Sequence, residues 1–570
     1  MSMMKIEVLV AALLAGVASP ALAADADAIW FGGPIITVDD ATPRAEAVAV
    51  KDGRIVAVGK KAAVLKAERG KATRLIDLKG RTLVPGFVDA HGHISGVALQ
   101  AVSANLLPPP DGPARSIADI QRIMRDFIAT SPAVKTGLAL GFDYDDSQLA
   151  EHRAPTRQEL DAVSTEIPIM LIHQSGHLGA FNSKAIEKAG ISADTPDPSG
   201  GHIQREADGK TPNGVFEESA LALIAYKLLP KTTARQGLAM MAAAQKIYMA
   251  NGYTTVQDGK TDGASLAMLQ GAANAGLLRI DVVSYPDLIT LFDKPVLHGP
   301  LMGRAYHDHL RLGGVKLTFD GSPQGKTAWF TQPYFQVPAG QKPDYAGYAA
   351  FPKPGEAQGW VDMAYKNNWQ LLIHANGDAA IDQMLTTVAA AQQQFPGSDR
   401  RTVMIHGQYL RANQIPQLKA LGMFPALFPM HTFYWGDWHR ESVAGPERAE
   451  FISPTRAVRD AGLMVSIHHD APVTFPNSMR VFDSAVNRTT RSGHVLGPAQ
   501  RLSPMEALKA MTIWPAYQHF EEATKGSITP GKLADFVVLN RNPLTVPRAT
   551  IKDIKVMETI KAGATVYSAP

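Results

Sequence analysis

The sequence predicts an α/β protein: a TIM-type (β/α)8 barrel with a small β-sandwich formed from both chain ends and an inserted subdomain after the first barrel strand. Three observations carry this expectation. Across the middle of the chain, eight short apolar runs alternate with helical stretches, the pattern of parallel strands joined by crossovers. Hairpin-like, β-rich texture with turn residues occurs only near the two ends. Histidine, lysine and aspartate fall within or just past the apolar runs, at the end of the strands where such barrels keep their chemistry.

Residues 1–23 read as an export signal. Lys5 precedes the apolar run Val8 to Val17, Pro20 breaks it, and Ala21-Leu22-Ala23 gives the small-x-small cleavage pattern. The run is too short to span a bilayer as an ordinary helix, so no stable membrane span is expected after its removal. The expected location is periplasmic or secreted.

Residues 24–84 carry short alternating runs, including Ala47-Val48-Ala49-Val50 and Arg54-Ile55-Val56-Ala57-Val58, joined through Asp52-Gly53. Asp-Gly between alternating runs is a strong hairpin signal. The same texture returns in residues 526–570. Neither piece has apolar surface enough for a core of its own, so the two are expected to assemble into one sandwich domain.

Residues 85–525 make the expected barrel. Its first strand is the run ending Val84-Pro85-Gly86-Phe87-Val88-Asp89-Ala90-His91-Gly92-His93. The others are residues 254–258, 280–284, 314–319, 371–374, 402–406, 425–428 and 464–470. Residues 94–251 are too long for one crossover and are read as the inserted subdomain, with residues 199–209 as an exposed loop over the barrel mouth.

Composition narrows the function. The 570 residues carry a net charge of +3 with 19% charged residues, which gives no field for nucleic acid or for a charged membrane surface. With no cysteine, any metal site must use nitrogen and oxygen ligands. The expected partner is a small-molecule substrate, and the composition is compatible with a homo-oligomer.

The candidate site follows from what ends each strand. His91 and His93 are two residues apart, so on extended backbone they share a face and can point at one spot. Lys316, His374, His406 and Asp470 each sit in or just past another apolar run. A single buried histidine is ordinarily a hydrogen-bonded core group, and a strand lysine ordinarily snorkels to the surface. Six such residues at one end of one barrel would be costly to bury unless something common satisfied them, and one or two divalent cations would do so. His431 to Trp438 adds an aromatic cluster, with Tyr434, Trp435 and Trp438, read either as packing a loop or as lining a pocket for an apolar or aromatic substrate group. Gly325-Lys326-Thr327 suggests a phosphate loop, but Asp320 stands where that pattern needs glycine.

The ordered series of PGFVDAHGH, Gly252 to Asp258, Val315-Lys316-Leu317 with Asp320-Gly321-Ser322, Ile373 to Asp378, Ile405-His406-Gly407, His469 to Val473 and GSITPGKLADFVVL resembles the metal-dependent amidohydrolase superfamily. Within it the match is to amidohydrolase family 3, the branch of N-substituted formamide deformylase-like and YtcJ-like proteins. The resemblance implies two divalent metal ions, zinc first on ligand type, with Mn, Fe or Co also fitting. His91, His93 and Asp470 would hold one and His374 and His406 the other, with a CO2-carboxylated Lys316 between them. It implies hydrolysis of a C–N bond by water activated at the metals, with Asp470 as the proton carrier and His177 contacting the substrate carbonyl. Asp320 would support Lys316 or a ligand histidine on the substrate side. The expected substrate is an N-substituted or N-acyl amine with an apolar or aromatic group. An esterase, a lactonase or a heterocycle deaminase could use the same set, and a non-catalytic ligand-binding barrel is the reading from a different class.

Overall fold

The terminal β-rich pieces pair with each other. In the computed structural model, which describes residues 25–570 except 133, 135, 136, 230, 231 and 339, eight strands form one sheet. Five come from the N-terminal part and three from Phe536–Leu539, Val556–Lys561 and Ala564–Ser568. The join is antiparallel, between Thr82–Pro85 and Phe536–Leu539. The sheet branches at Ala28–Ile36. Residues 28–31 pair with Arg74–Asp77, and Ile35 pairs with Leu83 beyond a register shift at Gly32-Gly33. A Cβ on Gly33 would lie 2.0 Å from the Arg81 carbonyl oxygen, so the bend requires glycine. Trp30 and Phe536 meet edge to face at 5.5 Å in the core shared by the two chain ends. The expected export signal lies outside the described residues.

The central strands form two parallel sheets. One has the order Leu310–Leu312, Asp281–Pro286, Tyr253–Thr261, Phe87–Val88; the other runs from Val315–Thr318 through Leu371–Ala375, Val403–His406 and Phe424–Leu427 to Ser466–Ile467. Leu310–Leu312, absent from the expected strands, leads through Gly313-Gly314 into Val315–Thr318, and the bridge Asp287↔Lys316 continues its pairing with the strand before it. At the other flank the Asp470 N–H donates to the His91 carbonyl at 3.1 Å, and the His93 N–H to the Ala471 carbonyl at 2.7 Å.

Two expected strands are shorter in the structure. The run through Val84–His91 divides at Gly86: Thr82–Pro85 joins the terminal sheet and only Phe87–Val88 stays in the parallel one. A Cβ at Gly86 would meet the Thr254 side chain at 2.3 Å. Beyond Val88 the His91 N–H turns to the Asp89 carboxylate, 3.0 Å away, so the chain curls instead of extending. The expected strand 464–470 pairs only over Ser466–Ile467, and the left-handed φ of 55° at Asp470 turns the chain away beyond it.

Helices cover the parallel strands. Asp378–Gln394 shows why: Ile381, Met384, Leu385, Val388 and Ala391 fall three and four residues apart and are buried, one apolar stripe on a polar helix. Ala234–Ala250 starts with a capping box between Thr233 and Gln236. Residues 94–251 also contribute a separate six-stranded sheet, from Ala104–Asn105 to Pro212–Glu218, with apolar clusters around Phe181 and Ile120. The expected loop 199–209 supplies its edge strand Gly201–Arg205.

A buried ionic network ties the terminal sheet to the parallel strands. Asp281 lies 2.6 Å from Lys525 and 2.5 Å from Lys561, Lys561 also reaches Asp535 at 2.8 Å, and Glu521 bridges Lys525 and Arg311 at 2.9 and 3.1 Å. Burial would raise the Asp281 carboxyl, yet Lys525 and Lys561 hold it well below its usual range.

Candidate metal centre

His91, His93, Lys316, His374, His406 and Asp470 come from five separated parts of the chain and meet at one end of the parallel strands. Nε2 of His93 is 3.1 Å and Nε2 of His91 3.3 Å from Oδ1 of Asp470, a group compact enough to hold a metal ion. Nζ of Lys316 is 3.1 Å from Nε2 of His91. Nε2 of His406 is 3.1 Å from Nδ1 of His374 and 3.9 Å from Oδ2 of Asp470. Strand register contributes to this: Ala375 pairs with His406, so His374 and His406 sit one residue apart in register, while Lys316 pairs with Leu372, two residues earlier, and spans the difference with its long side chain.

Surrounding groups choose which ring nitrogen faces inward. Nδ1 of His91 is 2.5 Å from Oε1 of Gln257, and Nδ1 of His93 meets the Gly259 carbonyl, so both rings donate outward and turn Nε2 toward Asp470. His374 is reversed: Nε2 lies 3.1 Å from the Gly321 carbonyl, which frees Nδ1. His406 and Asp470 hold left-handed φ values of 73° and 55°, a strained backbone that non-glycine residues adopt chiefly where a site demands it.

Electrostatics favour ligand forms. Burial, reinforced by nearby cationic or imidazole groups, pushes His91, His374 and His406 well below the usual histidine range, leaving neutral rings with a lone pair. Burial likewise brings Lys316 down to about 7 against the opposing charge of Asp470. Nδ1 of His406 is buried without a hydrogen-bond partner. Close-packed neutral imidazoles, an amine facing an imidazole nitrogen and a carboxylate reaching two rings are the donor set a divalent cation satisfies.

His468 was missed by the sequence reading. It is buried, its ring lies 5.3 Å from that of His91 and 5.1 Å from that of His406, and it stacks on Phe428 at 4.6 Å. Its two-residue spacing from Asp470, the spacing that singled out His91 and His93, was the available signal. Gln257 and Gly259 carried no such signal, since their role is set by contacts across 166 residues.

A cavity adjoins the set, lined by His177, His374, His406, Asp470, Ser175, Ser322, Gln324, Asn376, Phe428, His431 and Val473. His177 therefore reaches the centre from the inserted segment. Its Nδ1 is 2.7 Å from Oε2 of Glu218, a residue at φ 51° that the sequence did not suggest. Burial would raise the Glu218 carboxyl, but His177 brings it below its ordinary value.

The remaining expected substrate contacts lie elsewhere. Oxygens of Asp320 accept the backbone N–H groups of Asn376, Gly377 and Trp329 at 2.9, 2.7 and 3.0 Å, and Oδ1 is 3.4 Å from Nε2 of His374. Its carboxylate is consumed in holding a ligand loop, not in facing the cavity. Residues 431–438 are a helix, not a loop. Tyr434 donates to Asp111, Nε1 of Trp435 to Asp145 at 2.7 Å, and Nε1 of Trp438 to the Gln324 carbonyl at 3.1 Å. These aromatics lock the helix against its neighbours and do not line the cavity; His431, from the same helix, does.

With this geometry in view, comparison with known proteins gives the class. A model of the amidohydrolase family matches residues 74–567, and the chain belongs to that family. It is a metal-dependent amidohydrolase, a hydrolase of C–N bonds. It is 29% identical to an N-substituted formamide deformylase of Arthrobacter pascens, over 95% of this chain and 98% of the relative. It is 25% identical to the putative amidohydrolase YtcJ of Bacillus subtilis, over 95% and 99%. An uncharacterized metal-dependent hydrolase from Pyrococcus horikoshii superposes with a TM-score of 0.71 at 22% identity, covering 92% of this chain and 99% of that one. Such neighbours carry the fold, a TIM-type barrel with additional domains. Among the described residues no helix is long and apolar enough to cross a membrane.

Proposed function

We propose that this enzyme hydrolyses the amide bond of an N-substituted or N-acyl amine at a two-metal centre. The observation that carries the reading is Asp470, which reaches both His91 and His93 while lining the cavity. His91, His93 and Asp470 would hold one divalent ion and His374 and His406 the other, with zinc first on donor type. Lys316, neutral in part near pH 7, would be carboxylated by CO2 and lie between them, its cation turned into an anion. Bound there, the ions supply Lewis-acid activation of water and of the substrate carbonyl.

The side chains supply the rest. Asp470 takes the proton lost as water adds to the carbonyl and returns it to the departing nitrogen. His177, with Nδ1 engaged by Glu218, turns its other nitrogen to the substrate. Asp320 keeps the His374 loop in place through its three backbone contacts. We read residues 24–84 with 526–570 as one accessory β-sandwich domain, residues 94–251 as containing an inserted subdomain, and residues 1–23 as a signal that delivers the chain to the periplasm or the medium.

The test is a panel of formamides, other N-acyl amines, esters and lactones, assayed with Zn or Mn supplied and again after chelation. Metal-dependent release of amine is the expected result. Ester or lactone cleavage without amine release would move the chain to the esterase reading. A chain that retains less than about half an equivalent of metal after gentle preparation, and that added Zn or Mn does not activate, would instead be a binding protein.

A further inference from the structure

Three side chains that line the cavity carry buried polar atoms without a partner: two amide oxygens, which can only accept, and one hydroxyl, which can accept or donate. Ser322, Gln324 and Asn376 are 3%, 3% and 4% exposed, and Oγ of Ser322, Oε1 of Gln324 and Oδ1 of Asn376 have no partner. All three residues line the one cavity that also contains His177 and Asp470. The orientation of Asn376 is fixed: its Nδ2 donates to the Gly321 carbonyl at 2.9 Å, which leaves Oδ1 as the free atom. A buried polar atom left unpaired is costly, so the two amide oxygens demand donors from whatever enters, and the Ser322 hydroxyl can accept one more.

Two further features bound the ligand. No lysine or arginine lines the cavity among the described residues, so no side-chain cation there would hold a charged substituent of the substrate. Phe428 and Val473 are its only aliphatic or carbocyclic side chains, too little apolar surface to pull in a benzyl or long alkyl group. The tryptophans that would have provided one are turned to Asp145 and to the Gln324 carbonyl.

Resting on the amidohydrolase reading, we propose that the substrate is an amide whose group beside the scissile bond bears hydroxyl, carboxamide or ureido donors, received by Ser322, Gln324 and Asn376. A donor-bearing group satisfies these acceptors, whereas an isosteric alkyl group buries them unpaired. Discrimination by a polar site of this kind is steep, because the penalty falls wholly on the substrate lacking the donor.

The experiment uses matched pairs of N-acyl amines that differ only in a terminal hydroxyl or carboxamide against a methyl or isopropyl group. The metal-loaded enzyme is expected to favour the donor-bearing member in kcat/KM by at least about tenfold. Ser322→Ala with Gln324→Met should shrink that ratio severalfold, while Ser322→Thr, which restores the hydroxyl, should recover it. Sulfonamide analogues of the same pairs, which are not cleaved, are titrated calorimetrically into the metal-depleted protein and should show the same preference. Equal or reversed preference in both measurements overturns the proposal, as does a ratio unmoved by the double substitution. Should no amide be cleaved while the sulfonamides still show the preference, the hydrolytic reading fails and the polar wall stands.

Discussion

Nε2 of His93 lies 3.1 Å from Oδ1 of Asp470, across 377 residues of sequence. The same oxygen is 3.3 Å from His91, so one carboxylate orients a pair of rings and still borders the cavity. Asp470→Asn keeps the shape and removes the base. Turnover is expected to fall about 10²- to 10⁴-fold, measured with metal content determined on the same preparation; near-normal turnover would remove Asp470 from the proton path.

Glu218 stands behind His177 at 2.7 Å on a strained backbone. Glu218→Gln weakens a charge-assisted contact without emptying its volume. A loss of about 10- to 100-fold in kcat is expected, the equivalent of the ~1.5–3 kcal/mol of a hydrogen bond to a charged group. Metal content should be unchanged. Full activity in Glu218→Gln would leave His177 without this support.

Lys316 gives a pH dependence with a definite sign. Only the neutral amine reacts with CO2, and burial brings this group down to about 7. Apoprotein reloaded with zinc and bicarbonate should therefore recover activity well at pH 8, where the amine is mostly neutral, and poorly at pH 6, where the ammonium dominates. A carbamate carbon signal from labelled bicarbonate should rise over the same interval. Lys316→Met should abolish both the signal and its pH dependence; recovery independent of pH and bicarbonate would argue for an unmodified lysine.

Asp281 is the hub of the ionic network between the terminal sheet and the parallel strands. Asp281→Asn leaves Lys525 and Lys561 with less than their full countercharge in a buried setting. Removing one partner of such a cluster costs about 3–5 kcal/mol, read as a lower midpoint in denaturant unfolding. Adding Lys561→Met should return part of it. An unchanged midpoint in the single variant would show that the network is neutral to stability.

How far the sequence could be read depended on whether a feature was local. His91, His93, Lys316, His374, His406 and Asp470 stood out because each is a ligand-type residue in or beside an apolar run, and periodicity alone places such ends together in a barrel. His468 was hidden by its neighbours His469 and Asp470. Leu310–Leu312 was too short, and too close to Gly313-Gly314, to register as part of a strand. The aromatic cluster left two readings open for a different reason. What Tyr434 and Trp435 touch, Asp111 and Asp145, lies about three hundred positions earlier, and no local pattern announces such a partner. Glu218 escaped notice likewise.

The antiparallel join between Thr82–Pro85 and Phe536–Leu539 bears on how the molecule is made. Thr82–Pro85 has no neighbour on that edge until a segment about 450 residues further along has left the ribosome. The growing chain must carry an open β edge over all of that interval. Removing Phe536–Leu539 would therefore expose a strand that lies far from it in sequence.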